Sequence, residues 1–231
     1  MDIKSFSKHE SMLKLREMLE LFYENKNDES AVPMAKYMKN KFPFLGIKTP
    51  ERKDLSKDFL KERKKDKEVD WELIFLLFVL PEREFQYLAI SYMDTVKNLF
   101  TIKDMDNIEK VIKTKSWWDS VDSINHIVGY ICLKHNKVRE KYVNKWVYSD
   151  NIWLKRVSIL FQLKYKEKTD TEFLAKAILN NSETNEFFVD KAIGWALREY
   201  SKTNKKWVRE FIDNHRLSNL SIREGSKYIG D

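Results

Sequence analysis

The chain is poor in the residues that turn or staple a backbone. Its 231 residues include 1 cysteine, 5 glycines and 4 prolines. So little glycine and proline disfavours a β-sandwich, a barrel or a glycine-cradled nucleotide fold and leaves helices as the default. Cys132, inside the apolar run at residues 127–133, has no mate for a disulfide and reads as a small core residue. The four histidines, His9, His126, His135 and His215, never stand at metal-ligand spacing with one another or with Cys132. No metal and no cofactor is therefore expected, and the histidines read as structural or surface residues. No apolar run approaches the roughly 18 residues of a membrane span, and residues 1–6 lack the apolar block of a secretion signal. The expectation is a soluble, cytoplasmic, monomeric protein without membrane contact.

Apolar residues make up 42% of the chain and aromatic residues 13%, enough to bury a sizeable core. Lysine and arginine number 43 against 36 acidic residues, a net charge of +7. A cationic surplus fits a polyanionic partner without identifying one.

Apolar positions at helical spacing, Phe6, Met12, Leu13, Leu15, Met18, Leu19 and Phe22, predict a first amphipathic helix. Residues 25–30 read as a polar break, and a second helix is predicted over 33–42 with Pro33 in its first turn. Residues 42–52 form the longest irregular segment, closing on Thr49-Pro50-Glu51-Arg52 as the cap and first turn of a helix over 50–62. Free N–H groups at that start, beside Lys48, Arg52 and Lys53, offer a place for a phosphate, with a plain capped surface helix as the alternative. The basic run at residues 61–67 reads as a solvated loop, with DNA contact as the alternative.

A repeat follows. Trp118, Trp153 and Phe188 stand 35 residues apart, each opening an apolar helical segment, and one further step back reaches Arg83. Shorter apolar segments precede them at 71–80, 105–112, 138–147 and 173–179, and a last pair occupies 207–212 and 220–229. Helix pairs at this period predict an all-α fold, one α-solenoid domain of HEAT-like repeats over residues 1–231, curved around a concave basic groove.

Second helices of such repeats share the concave face, so Trp118 with Asp122, Trp153 with Arg156, and Lys191 with Trp195 are candidates for a single groove. Cations near them are Lys155, Lys164, Arg198, Lys202, Lys205 and Lys206. Aromatic rings interleaved with lysine and arginine fit nucleic acid, cations meeting phosphates and ring faces packing on sugars or bases. Tryptophans at helical spacing are also core material, and Trp117 and Trp153 are expected there. Asp119 sits where an acid favours the helix dipole. Asp122 is different: an acid in a groove for phosphates weakens binding unless it stabilises a cation. The structural alternative is an Asp122–Arg156 ion pair joining two repeats.

Residues 115–122 (Lys-Ser-Trp-Trp-Asp-Ser-Val-Asp), 151–156 (Asn-Ile-Trp-Leu-Lys-Arg) and 191–200 (Lys-Ala-Ile-Gly-Trp-Ala-Leu-Arg-Glu-Tyr) resemble the AlkD family of bacterial DNA alkylation-repair glycosylases. Residues 34–40 and 44–52 match the same pattern, so the resemblance spans nearly the whole chain. It implies a HEAT-like solenoid that hydrolyses the N-glycosidic bond of N3-alkyladenine and N7-alkylguanine in double-stranded DNA, with the damaged base left stacked. In that pattern Trp118 and Trp195 flank the lesion's deoxyribose, Asp122 is the catalytic carboxylate and Arg156 the cation near the phosphate. Lys48, Thr49, Arg52, Lys164, Lys191, Arg198 and Lys202 are the further candidates for DNA contact. A different class stays open, a non-catalytic HEAT scaffold that grips DNA or another protein.

Overall fold

The computed structural model describes residues 3–230, with side chains from Met12 onward. The expectations for Phe6 and His9 concern side chains outside the described residues. Helices are the only regular elements of the described backbone, which has no strand, and the chain divides into two compact units, Met1–Leu99 and Phe100–Asp231.

The first unit contains α1 (Ile3–Glu24), α2 (Asp28–Tyr37), α3 (Thr49–Leu55), α4 (Lys57–Arg63), α5 (Trp71–Val79) and α6 (Arg83–Thr95). Two of these depart from the sequence reading. Helix α2 starts five residues earlier than expected because the Asn27 side chain accepts the Ser30 N–H, with Asp28 and Glu29 favouring the first turn. Pro33 therefore lies inside the helix rather than at its start. The helix expected over 50–62 is split at Ser56, whose ψ of −2° leaves the helical range while its hydroxyl donates to the Arg52 carbonyl at 2.8 Å. The basic run at 61–67 is also not simply solvated. Arg63 forms an ion pair with Asp66 at 3.1 Å, donates to Asp70 at 2.6 Å and lies 5.2 Å from the Tyr92 ring centre.

The irregular segment before α3 is fixed by one buried acid. Glu84 accepts the N–H groups of Leu45, Gly46 and Ile47 at 3.0, 2.9 and 3.2 Å. Burial pushes its carboxyl up, and those three N–H groups oppose the rise.

The second unit carries α7 (Met105–Lys113), α8 (Trp118–Lys134), α11 (Ile152–Leu160), α12 (Thr171–Leu179), α13 (Phe187–Ser201), α14 (Lys205–Asn214) and α15 (Asn219–Gly225). Between α8 and α11 the expected helix runs without a gap over 136–146, with a π-helical stretch (Arg139–Val143) between α9 (Asn136–Val138) and α10 (Asn144–Trp146). Asn151, Asp170, Asn204 and Ser218 cap α11, α12, α14 and α15 with side-chain oxygens. Helix α8 packs on α11, α11 on α13, and α13 on α15, so the second helices of successive repeats lie side by side. Cys132 is buried, and burial lifts its thiol to about 12, which suits a core residue. No helix among the described residues is long and apolar enough to cross a membrane.

Candidate functional site

Periodicity decides which side chains reach the surface. Helix α8 buries Val121, Ile124, Val128 and Ile131, one stripe of a 3.6-residue period, which leaves Trp118 and Asp122 half-buried at its margin. Helix α13 buries Val189, Ile193, Ala196 and Leu197 and leaves Lys191, Trp195 and Arg198 half-buried. These residues meet in a cleft of about 400 Å³ lined by Trp118, Asp122, Arg156, Phe187, Phe188, Lys191, Trp195, Arg198 and Glu224.

An aromatic cluster supports the cleft from behind. The Trp117 and Trp153 rings are 5.7 Å apart, and Phe188 lies 4.8 Å from the first and 5.1 Å from the second. The 35-residue repeat placed Trp118 in register with Trp153 and Phe188; in space it is Trp117 that packs with them. Trp153 is buried as expected and does not line the cleft, whereas Trp117 is half-buried. Adjacent residues of a helix start point in different directions, so Trp117 anchors the repeats and Trp118 lines the cleft.

The structural alternative for Asp122 is realised. Arg156 donates from Nε and Nη2 to its two oxygens at 2.7 and 2.8 Å, a two-pronged pair joining α8 to α11. A third bond runs from Arg156 Nη1 to the Phe188 carbonyl at 2.5 Å, tying in the start of α13. The Arg156 side chain is only 5% exposed and Asp122 17%. Each carboxylate oxygen has two acceptor sites, so this pairing leaves Asp122 capacity facing the cleft.

Glu224, which sequence reasoning did not single out, organises the other wall. Its carboxylate receives Lys191 at 3.0 Å, Arg198 at 3.1 Å and Lys227 at 2.7 Å. Hydrogen bonds from Lys227 and then Lys191 pull its carboxyl from 4.5 down to about 2. An acid depressed by folding contributes stability above its unfolded value, and that contribution is lost as pH falls through the folded one. The stability difference between wild type and Glu224→Gln, read from thermal unfolding, should thus be full above pH 4.5 and vanish near pH 2. A difference independent of pH over that span would contradict the assignment.

The other expected DNA-contact residues lie elsewhere. Lys164 and Lys202 both bond Glu199, at 3.1 and 2.6 Å, and Lys202 lines a separate pocket with Gln162, Lys166 and Thr203. Lys48, Thr49 and Arg52 belong to the first unit. Lys48 and Thr49 are exposed, and the Arg52 guanidinium sits 4.5 Å over the Tyr87 ring. Among the described residues no group of three or more histidine, cysteine, aspartate or glutamate side chains is placed to hold a metal ion.

Residues 18–229 match the model of a family described as DNA alkylation repair enzyme. A solved structure described as a predicted DNA alkylation repair enzyme from Enterococcus faecalis is similar at 39% identity and TM-score 0.85, covering 89% of this chain and 97% of that one. The crystal structure of smu.31 from Streptococcus mutans UA159 covers 78% of this chain and 98% of that one at 19% identity and TM-score 0.59, a likeness of fold. The comparison with curated proteins gives no match.

Proposed function

Since the chain belongs to the DNA alkylation repair enzyme family, we propose that it is a monofunctional DNA glycosylase acting on cationic alkylated purines, N3-alkyladenine and N7-alkylguanine, in double-stranded DNA. The observation that carries this reading is the meeting of two indoles, Trp118 and Trp195, with one carboxylate, Asp122, in a single open cleft.

The chemistry follows from charge. An alkylated purine is already cationic, so the glycosidic nitrogen takes the bonding pair and the base departs neutral without a general acid. Positive charge passes to the sugar as the bond breaks. Asp122 stabilises it and orients the water that adds to the anomeric carbon, taking up the proton that water gives. Electron-rich faces of Trp118 and Trp195 add attraction of the cation–π kind. Arg156 holds Asp122 and keeps further N–H groups for the adjacent phosphate. An open cleft, rather than a closed base pocket, suits a lesion that stays stacked, in contrast to enzymes that extrude their target base. Within the second unit, Lys164 and Lys202 extend the backbone contacts; in the first unit, taken by itself, Lys48 and Thr49, with Arg52 beside them, are the proposed backbone contacts.

Discrimination by charge tests the reading. Wild-type protein should release 7-methylguanine from a duplex and leave hypoxanthine, a neutral lesion, in place; equal release of both would remove the leaving-group argument. One observation favours the non-catalytic scaffold, the two-pronged pairing of Asp122 with Arg156, since an acid with a purely structural role would sit the same way. A scaffold would bind the duplex and release neither base.

A further inference from the structure

Glu224 lines the cleft without a place in the chemistry above, and it sits where phosphate-binding cations would otherwise stand free. An acid among three cations lowers the local positive potential, so its presence weakens attraction for DNA unless it has another use. Its placement is built in. Gly194 in the middle of α13 lets α15 come so close that a Cβ there would meet the Glu224 Cβ at 2.5 Å. Glycine within a helix costs about 1 kcal/mol relative to alanine, which an approach of this kind offsets. Beside it the buried Ser221 hydroxyl donates to the Asp190 carbonyl at 3.0 Å, fixing α15 on α13.

Both oxygens of Glu224 are in use: Oε1 receives Lys191, and Oε2 receives Arg198 and Lys227. Lys191 and Arg198 lie two turns apart on α13, each about one turn from Trp195, and long flexible side chains in that setting sample many positions unless tethered. Three cations against one carboxylate still leave a surplus of positive charge, enough for a phosphodiester. We propose that Glu224 is a positioning residue that aims Lys191 and Arg198 at the backbone phosphate next to the lesion and so sets the register of the reacting sugar against Asp122 and Trp195. This rests on the glycosylase reading given above. It makes the second wall of the cleft a counterpart of the first, with each acid holding the cations that hold the DNA.

The test separates binding from placement. Glu224→Gln keeps the volume and removes the charge, so duplex affinity should be equal or higher. The single-turnover rate of 7-methylguanine release at saturating protein should fall by about tenfold or more, as expected when a reacting group is misplaced. A purely structural role would lower affinity and rate together; a mere countercharge would raise affinity and leave the saturated rate alone. Either result overturns the proposal. Should the variant fold poorly, Glu224→Asp retains the charge but withdraws it by one methylene and should show the same split in smaller degree. Independently of catalysis, Lys191→Gln and Arg198→Gln should each reduce the salt dependence of binding to undamaged duplex by about one phosphate contact. If wild type releases no base, the glycosylase reading has failed; if it does and the split is absent, only the role of Glu224 has.

Discussion

Asp122→Asn is expected to slow single-turnover release of 7-methylguanine by about a thousandfold while duplex affinity is retained. Two unit charges about 4 Å apart attract by about 4 kcal/mol at an effective dielectric near 20, and each 1.36 kcal/mol is a factor of about ten in rate. The substitution keeps the shape of the side chain and removes the charge that the developing sugar cation needs. It also changes what Arg156 meets, since a guanidinium 5% exposed then faces an amide in place of a carboxylate. Loss of one partner of a buried pair costs several kcal/mol, so the assay belongs well below the unfolding temperature of the variant. A folded Asp122→Asn protein with the wild-type rate would assign the carboxylate a structural role only.

Gly46→Ala is expected to destabilise the first unit by about 2–4 kcal/mol, the sum of a left-handed backbone penalty and the displacement of packed neighbours. Gly46 has φ +88°, and a Cβ there would lie 1.9 Å from the Asn27 carbonyl oxygen and 2.8 Å from the Ala31 nitrogen. These are backbone atoms committed to bonds of their own: that oxygen accepts the Ala31 N–H at 2.9 Å, and the Asn27 N–H donates to Leu45. Neither can give way without unmaking the start of α2. Denaturant unfolding measures the loss, and wild-type stability in Gly46→Ala would contradict the geometry. The two substitutions are complementary, one aimed at chemistry with the fold kept, the other at a loop of the first unit with every cleft residue left in place.

The parts of this architecture legible in the sequence are those written in apolar periodicity. The helices beginning at Trp71, Met105 and Trp118 start at the residues where their stripes start, because burial of one face dictates both the pattern and the element. Start and stop signals were less reliable where two competed. Pro33 reads as a first-turn residue, yet Asn27 caps the helix ahead of it; Ser56 breaks a helix through a hydroxyl bond that no hydropathy pattern records.

Of the site, Trp118, Asp122, Arg156, Lys191, Trp195 and Arg198 are brought together as the common face of second helices required. Trp117 as an anchor among the core rings and Trp118 as a cleft residue match the sequence reading; the period of 35 by itself pairs Trp118 with Trp153 and Phe188, because it fixes a helix start only to within a residue and the direction of a side chain turns by about 100° over that residue. Glu224 and Glu199 were hidden. Their cationic partners lie up to 33 and 35 residues away, and a sequence shows charges without showing which of them meet. Lysines and arginines that read as free phosphate contacts are thereby tethered ones.

The most direct test incubates wild-type protein with a duplex carrying 7-methylguanine at one position and measures free base together with alkali-labile strand. A glycosylase built on Trp118, Asp122 and Trp195 yields the two in equal amounts, with the strand intact before alkali. A duplex that is bound and shifted yet yields no free base and no alkali-labile site would contradict it.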